Sequence, residues 1–325
     1  METFFAALMS VTLALTWSTG TKVAGAFRNA CSSGERYEAT ADLNAASLNI
    51  AQITPFGRTE AGWEIYAPQI ARTIGTPCAP QTRGFAATLA GWQAKHRLPA
   101  TGAFNTATLS VMKATWQQSR PFIGELQDGS CPEAPPEATL ADVGAREGWQ
   151  GKLSKLDPQA LTALRQMAAA AREADPRIAS DPQMMTIVSA FRSPAYDAAR
   201  CASEHNCNGV VRARCSAHRT GRAIDLYIGA LPGQSPVSSD DANRLFQTRT
   251  PAYRWLVANA ARYGFVNYVF EPWHWEWVGQ TPAATITTAS VDEQHAPKVA
   301  TASMTSQRPL LALAHGLKAL FGMSD

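Results

Sequence analysis

Apolar positions recur at helical spacing across residues 60–120 of the chain. Phe85, Leu89 and Trp92 fall on one face of a predicted helix. A Leu-Pro-Ala-Thr-Gly segment then interrupts the pattern, and Thr106 is the predicted N-cap of a second helix. The pattern therefore predicts a helical module in the N-terminal part of the chain.

Predicted helices and strands alternate from residue 139 onward. Asp157 is the predicted N-cap of a helix that begins with Pro158 and continues to about Ala174. The further predicted elements are strands at 184–190, 222–228, 265–270 and 273–278, and a helix at 251–263 that ends near Gly264. These elements predict a second structured region.

Composition and length suit a globular protein with more than one part. The 325 residues suffice for one substantial core and a smaller module, and apolar residues make up 46% of the chain. The formal net charge of +3 is too small to indicate a nucleic-acid partner, although it is compatible with an acidic polymer such as bacterial cell wall. The predicted divisions are a signal peptide (1–26), the helical module (27–127), a Pro- and Gly-rich linker (128–138), the main domain (139–279), a disordered linker (280–307) and an amphipathic C-terminal helix (308–325).

The two ends of the chain carry predictions about location. Residues 4–17 are apolar but too short to span a bilayer comfortably, and Ala24 and Ala26 form the small-x-small pattern of a signal-peptidase site. Export is therefore predicted, although the first residues contain Glu2 and no basic residue; a buried N-terminal helix is the alternative. The C-terminal helix is expected to dock on protein rather than on a membrane.

Six cysteines follow the predicted cleavage site. An even number in an exported chain indicates disulfide bonds, whose connectivity the sequence does not determine. Three cysteines precede residue 135 and three lie between 201 and 215, so at least one bridge links the two groups if all six pair. A metal site at Cys201, His205 and Cys207 is a less favoured alternative, because no fourth ligand has suitable spacing.

A histidine and an aspartate that could bind a metal lie seven residues apart. Along an unbroken strand, His218 and Asp225 would point to opposite faces. A bend at Gly221 would let the two side chains converge from a loop and the following strand. The pair is therefore a candidate for two ligands of one metal ion.

A second segment adds a glutamate and another histidine, three residues apart. Pro272 is expected to hold Glu271 extended and to interrupt strand pairing ahead of His274. The neighbouring aromatic residues place Glu271 close to a surface of low dielectric constant, which raises the pKa of a carboxyl group towards that of a useful base. These residues predict a third ligand and a general base.

Alternation along the last strand separates polar from aromatic side chains. His274 and Glu276 share one face, whereas Trp273, Trp275 and Trp277 share the other. We expect Trp275 and Trp277 to pack in the core and assign Trp273 to substrate binding. Glu276 is expected to be an outer or solvated carboxylate rather than a fourth ligand.

The two motifs together resemble those of the zinc D-alanyl-D-alanine carboxypeptidases of the VanY type. Ser-x-His-x-x-Gly-x-Ala-x-Asp and Glu-x-Trp-His are both intact, and the resemblance covers roughly residues 140–279. It implies one zinc ion bound by His218, Asp225 and His274, with Glu271 as the catalytic base. It also implies an α+β fold, in which helices flank a small antiparallel sheet that carries the zinc in a cleft.

The same family has a Ser-x-(Tyr/Phe)-Arg-(Ser/Thr) element, which residues 189–193 match. The resemblance assigns Arg192 to steadying the substrate, through either the terminal carboxylate or the oxyanion; a surface salt bridge is the alternative. Ser216 either hydrogen-bonds to substrate or caps its loop. The cysteine-rich insertion at 196–216 departs from the family pattern and is expected to form a disulfide-pinned rim near the metal.

Residues 92–109 resemble the repeat of helical peptidoglycan-binding modules. The family has an aromatic-Gln helix end followed by a Gly-Leu-Pro-x-Thr-Gly segment, but Arg97 replaces the first glycine here. A plain helical bundle that only rigidifies this part of the chain is the alternative.

The predicted function is hydrolysis of the terminal D-Ala-D-Ala bond of peptidoglycan peptides by metal-activated water, in the periplasm or at the cell wall. A peptidoglycan endopeptidase or LD-carboxypeptidase with the same site is the first alternative. A cell-wall binding protein without activity is a weaker one, since the ligands and the base are all present. No protein partner is predicted.

Overall fold

A computed structural model of the protein describes residues 30–126, 131–205, 207 and 215–279. Three predicted segments lie outside these residues: the signal peptide (1–26), the disordered linker (280–307) and the C-terminal helix (308–325). Among the described helices, none has the length and apolarity that a membrane crossing needs. The division of the chain into domains stays a prediction.

The α-helices with defined bounds occur in both parts of the chain. They are α1 Glu38–Ser47, α2 Ala67–Ile74, α3 Arg83–Lys95, α4 Thr106–Gln118, α5 Pro121–Glu125, α6 Pro158–Ala174, α7 Pro176–Ala179, α8 Pro194–Ser203, α9 Asp241–Arg249 and α10 Pro251–Asn259. The long helix α6 begins as predicted, because the Asp157 side chain accepts hydrogen bonds from the backbone N–H groups of Gln159 and Ala160.

Short antiparallel strands complete an α+β fold, as predicted. Two-residue and three-residue ladders pair β1 Gln52–Ile53 with β2 Glu60–Ala61 and β3 Ala141–Val143 with β4 Ser154–Leu156. The main sheet has the order β5-β6-β8-β7, formed by Ile187–Ser189, Ala223–Leu226, His274–Trp277 and Phe265–Asn267. Each strand is shorter than its predicted segment, because turns and loops occupy the predicted ends.

The first part of the chain corrects two predictions. Besides its helices it contains the β1–β2 ladder, so the predicted helical module is not purely α. The N-cap of α4 is Asn105, whose side chain accepts the Thr108 N–H at 2.9 Å, while Thr106 is the first helical residue. Arg97 adopts a positive φ of 58°, a left-handed conformation that favours glycine. A glycine, as in the helical modules that this segment resembles, would adopt this conformation without strain.

The helical module and the main sheet region pack closely against each other. Buried Arg244 donates to the Tyr66 hydroxyl at 2.7 Å and forms an ion pair with Glu60 at 3.1 Å. Val269, next to the main sheet, belongs to the apolar core of the helical module. Side chains far apart in sequence therefore join the two parts through buried polar and apolar contacts.

The cysteines of the described residues form two bridges, and neither links the two sequence groups. Cys31 pairs with Cys78, and Cys201 pairs with Cys207, which excludes the alternative metal site at that position. Cys131 and Cys215, one from each group, form no disulfide, but their side chains hydrogen-bond to each other. The Cys201–Cys207 bridge closes the end of α8, inside the insertion where a pinned rim was expected.

Candidate metal centre

Three potential ligand side chains converge in the interior, as the two motifs predict. One ligand atom from each of His218, Asp225 and His274 lies within 4.8 Å of the others, and all three residues are buried. Two imidazole nitrogens and one carboxylate oxygen suit a first-row divalent metal ion.

The bend between the first two ligands occurs at Gly221. A 3₁₀ turn, Ala217–Thr220, carries His218 and ends at this glycine, which has φ 70°. Strand β6 then begins and places Asp225 in the sheet. The Gly221 carbonyl also accepts the Asp157 N–H at 2.8 Å, which fixes the bend against the start of α6.

Strand pairing brings the third ligand to the first two. In the β6–β8 ladder, Asp225 is directly opposite His274. A turn precedes β8, in which the Glu271 N–H donates to the Tyr268 carbonyl at 2.7 Å and the His274 N–H donates to the Glu271 carbonyl at 2.9 Å. The turn therefore holds Glu271 beside the ligand that follows it.

The ring of His218 has a defined orientation and tautomer. Its Nδ1 lies 2.7 Å from the Ala190 carbonyl oxygen, which can only accept, so Nδ1 carries the proton. Burial, with the nearby charge of Arg192, lowers the pKa of His218 to about 4, so the ring is neutral. The Nε2 lone pair consequently faces Asp225 Oδ1, 3.2 Å away.

The ring of His274 lies between two carboxylates. Its Nδ1 is 3.0 Å from Asp225 Oδ1, and its Nε2 is 3.3 Å from Glu276 Oε1. Although burial acts in the opposite direction, hydrogen bonds to these carboxylates raise the pKa of His274 to about 9. A carboxylate on the second ring nitrogen is the usual support of a metal-binding histidine.

The donor set fits a cation placed among the three ligands. In each histidine, one ring nitrogen lies against a hydrogen-bond acceptor. The other ring nitrogen of each points at Asp225 Oδ1. Burial would raise the pKa of Asp225, but the two histidines hold it well below its usual range, so the carboxylate is charged. A divalent ion would bind the His218 Nε2 lone pair and this charge, and it would displace the proton from His274 Nδ1.

Glu271 lies next to the ligands and has the properties predicted for a base. Its Oε2 is 3.9 Å from His274 Nδ1, and only 9% of the residue is exposed. Burial raises the pKa of Glu271, although the positive charges of His274, Arg120 and Arg192 act against the rise. The carboxylate is therefore a stronger base than an exposed glutamate.

Arg192 and Ser216 meet at a buried aspartate that the sequence did not single out. Arg192 Nε lies 3.5 Å from Asp197 Oδ1, and the Ser216 hydroxyl donates to Asp197 Oδ2 at 2.8 Å. Arg192 Nη2 also lies 3.4 Å from Ser216 Oγ. The arginine side chain is only 15% exposed, which excludes the surface salt bridge, and the Ser216 hydroxyl makes no capping bond to its turn.

Asp197 is fully buried in the first turn of α8. A lone aspartate after Ser-Pro-Ala-Tyr is ordinary at a helix start, so the sequence held no signal that distinguished it.

Trp273, the residue assigned to substrate binding, lies in the apolar core. The residue is 2% exposed and packs in the main core with Trp275 and Trp277. Alternation along this segment sends all three indoles away from the ligand face, so Trp273 stabilises the sheet. Glu276 is buried rather than solvated, and it contacts a ligand without being placed among the ligand atoms.

The geometry brings together three buried side chains that could hold one metal ion, with the carboxylate of Glu271 beside them. Residues 153–280 match the family model of VanY, D-alanyl-D-alanine carboxypeptidase. The match implies a peptidase and supports D-alanyl-D-alanine carboxypeptidase activity in general. No curated protein matched the chain. The family match does not reach the helical module, so the likeness of that module to peptidoglycan-binding repeats stays a prediction.

Proposed function

We propose that the protein is a zinc-dependent D-alanyl-D-alanine carboxypeptidase that removes the terminal residue of peptidoglycan stem peptides. The observation that carries the proposal is the convergence of His218, Asp225, His274 and Glu271 in one buried site, inside the residues that match the family. Zinc favours this mixture of imidazole and carboxylate ligands and leaves a position for water.

His218, Asp225 and His274 would hold the zinc ion, which would supply Lewis-acid chemistry to the scissile carbonyl and to a water molecule. Glu271 would accept the proton of the attacking water at a carboxylate oxygen, and its raised pKa suits the transfer. The same carboxyl group then returns the proton to the amine of the departing residue. Because Glu271 is buried next to His274, bulk water does not compete for the proton.

Arg192 supplies the positive charge that the substrate needs. Asp197 and Ser216 hold its guanidinium on the ligand side, and the backbone N–H of Arg192 donates to the His218 carbonyl at 3.3 Å. A guanidinium binds a carboxylate through two parallel hydrogen bonds, which suits a peptide that ends in a free carboxylate. Arg192 therefore orients the terminal residue or stabilises the oxyanion formed during cleavage.

We further propose that the protein acts after export, in the periplasm or at the cell wall. The Cys31–Cys78 and Cys201–Cys207 disulfides support this location, because such bonds persist in oxidising compartments.

The test compares wild type with Glu271→Gln on a muropeptide that ends in D-Ala-D-Ala. We expect wild type to release free D-alanine and the variant to lose activity by roughly 10²–10⁴-fold while binding the same amount of zinc. Glu147→Gln is the matched control, because Glu147 pairs with Arg165 away from the ligands. Undiminished release by Glu271→Gln would contradict the mechanism, and mass spectra showing only internal cleavage would indicate an endopeptidase.

A further inference from the structure

Arg120 brings a positive charge from the helical module to the edge of the metal centre. It lies between α4 and α5, and only 6% of the residue is exposed. Its Nε donates to Glu276 Oε1 at 2.7 Å, and its Nη2 lies 2.6 Å from the same oxygen. Gln117 Oε1 accepts from Nη1 at 3.2 Å, so the guanidinium is fixed from both sides.

The oxygen that Arg120 binds is also the oxygen that contacts a candidate ligand. Glu276 Oε1 lies 3.3 Å from His274 Nε2, while its Oε2 accepts the backbone N–H of Phe122 at 3.3 Å. Both carboxylate oxygens are thus held by the segment 120–122. The carboxylate cannot rotate away from His274 without losing these bonds.

An aromatic ring closes the remaining side of the cluster. The Arg120 guanidinium lies 3.9 Å from the centroid of the Tyr268 ring, which in turn meets the His274 ring edge-on at 6.0 Å. The arrangement orients the imidazole so that Nδ1 points at Asp225, 3.0 Å away.

An ion pair elsewhere between the two parts of the chain does not reach a ligand. Arg249 pairs with Glu64 at 2.6 Å, and both side chains are partly exposed. Such a pair contributes little to stability and has no contact with the metal centre. Arg120 differs from Arg249 because it contacts Glu276, which lies against the candidate ligand His274.

We propose that Arg120 is a positioning residue of the metal centre, which fixes Glu276 and thereby the ring of His274 in the orientation that binds metal. The helical module is then part of the catalytic unit, although the family match begins at residue 153. This inference rests on the proposed zinc site.

The expected loss of metal affinity can be judged from other residues that orient a metal ligand without binding the metal. Residues that orient a metal-binding histidine typically contribute roughly 10–100-fold to metal affinity. Without Arg120, Glu276 would keep only the Phe122 N–H and the His274 ring as partners, and its carboxylate would be free to shift. Lysine would restore the charge but not the two contacts from one planar group.

The experiment measures zinc affinity of the full-length protein by competition with a chromophoric chelator. The variants are Arg120→Gln and Arg120→Lys, with Arg249→Gln as the matched control. We expect Arg120→Gln to weaken zinc binding by about tenfold or more and Arg120→Lys to weaken it less. Arg249→Gln should bind zinc as wild type does. The visible spectrum of the cobalt(II)-substituted protein should change in both Arg120 variants, because it reports ligand geometry.

The outcomes separate this inference from the proposed function. Folded Arg120 variants with wild-type zinc affinity and an unchanged cobalt spectrum would show that Arg120 only joins the two parts of the chain. If Arg120→Gln does not fold, Arg120→Lys and Glu276→Gln decide the matter by the same two measurements. Failure of wild type itself to bind zinc would overturn the proposed function, and this inference with it.

Discussion

His218 Nε2 and Asp225 Oδ1 lie 3.2 Å apart with lone pairs facing each other. The proton of the neutral imidazole is on Nδ1, where the Ala190 carbonyl accepts it, so Nε2 is available to bind a metal ion. A cation between the two atoms would bind both. The fold therefore holds a nitrogen ligand and a carboxylate oxygen close enough to share one metal ion.

Zinc should accordingly stabilise the folded protein. At a free zinc concentration about 100 times the dissociation constant, we expect a gain of about 2.7 kcal/mol, because the unfolded chain lacks the assembled site. Thermal unfolding with zinc and with a chelator measures the difference. His218→Ala should remove the zinc effect, whereas His96→Ala should keep it, since His96 is exposed and stacks on Trp92. Equal stabilisation of both variants would contradict metal binding at this site.

Gly221→Ala should destabilise the bend that joins the first two ligands. The residue has φ 70°, and an added Cβ would lie 2.8 Å from Leu140 Cδ2. We expect a loss of roughly 2–4 kcal/mol, from left-handed strain and crowding together. Gly75→Ala is the control, because Gly75 has φ 77° but open space around its Cβ position.

Denaturant unfolding measures both glycine variants, and zinc titration follows. Only Gly221→Ala should also weaken zinc binding, since only this bend carries a ligand. Equal losses of stability in the two variants would mean that the Leu140 contact is accommodated without cost.

The candidate ligands could be predicted from sequence because the residues between them determine how the backbone bends. His218 and Asp225 lie on either side of a glycine, and a proline separates Glu271 from His274, so local backbone rules suffice. Cap residues such as Asp157 are local in the same way.

The surroundings of the ligands could not be predicted, because they depend on how distant segments pack. Arg120 and Glu276 are separated by 156 positions, and neither has a local pattern that indicates the other. The burial of Trp273 similarly depends on which layer covers that face of the sheet. Alternation of side chains along the strand predicted the face on which Trp273 lies, but not which elements pack against that face.

Asp197→Asn should impair catalysis without removing any ligand. The variant keeps the shape of the side chain but loses the charge that holds Arg192, which is expected to face the substrate. Because misplacing a substrate-binding group is costly, we expect kcat/KM to fall by roughly 10- to 100-fold with unchanged zinc content. Asp142→Asn is the control, since Asp142 forms an exposed pair with Lys155.

The division of this loss between kcat and KM identifies the role of Arg192. A rise in KM alone indicates that Arg192 binds the terminal carboxylate, whereas a fall in kcat indicates stabilisation of the oxyanion. Wild-type kinetics in Asp197→Asn would show that Arg192 is positioned without this aspartate.

Arg97→Gly should stabilise the helical module, although it removes a side chain. Arg97 is exposed and has φ 58°, so its backbone bears the cost of a left-handed conformation, about 1–2 kcal/mol. Glycine avoids that cost but gains about 0.4–1 kcal/mol of freedom in the unfolded chain, which leaves a net gain of roughly 0.5–1 kcal/mol. Arg97→Ala separates the two effects, because alanine removes the side chain and keeps the strain. Denaturant unfolding should rank glycine above both arginine and alanine; an alanine variant as stable as the glycine variant would show that the side chain, not the backbone, is unfavourable here.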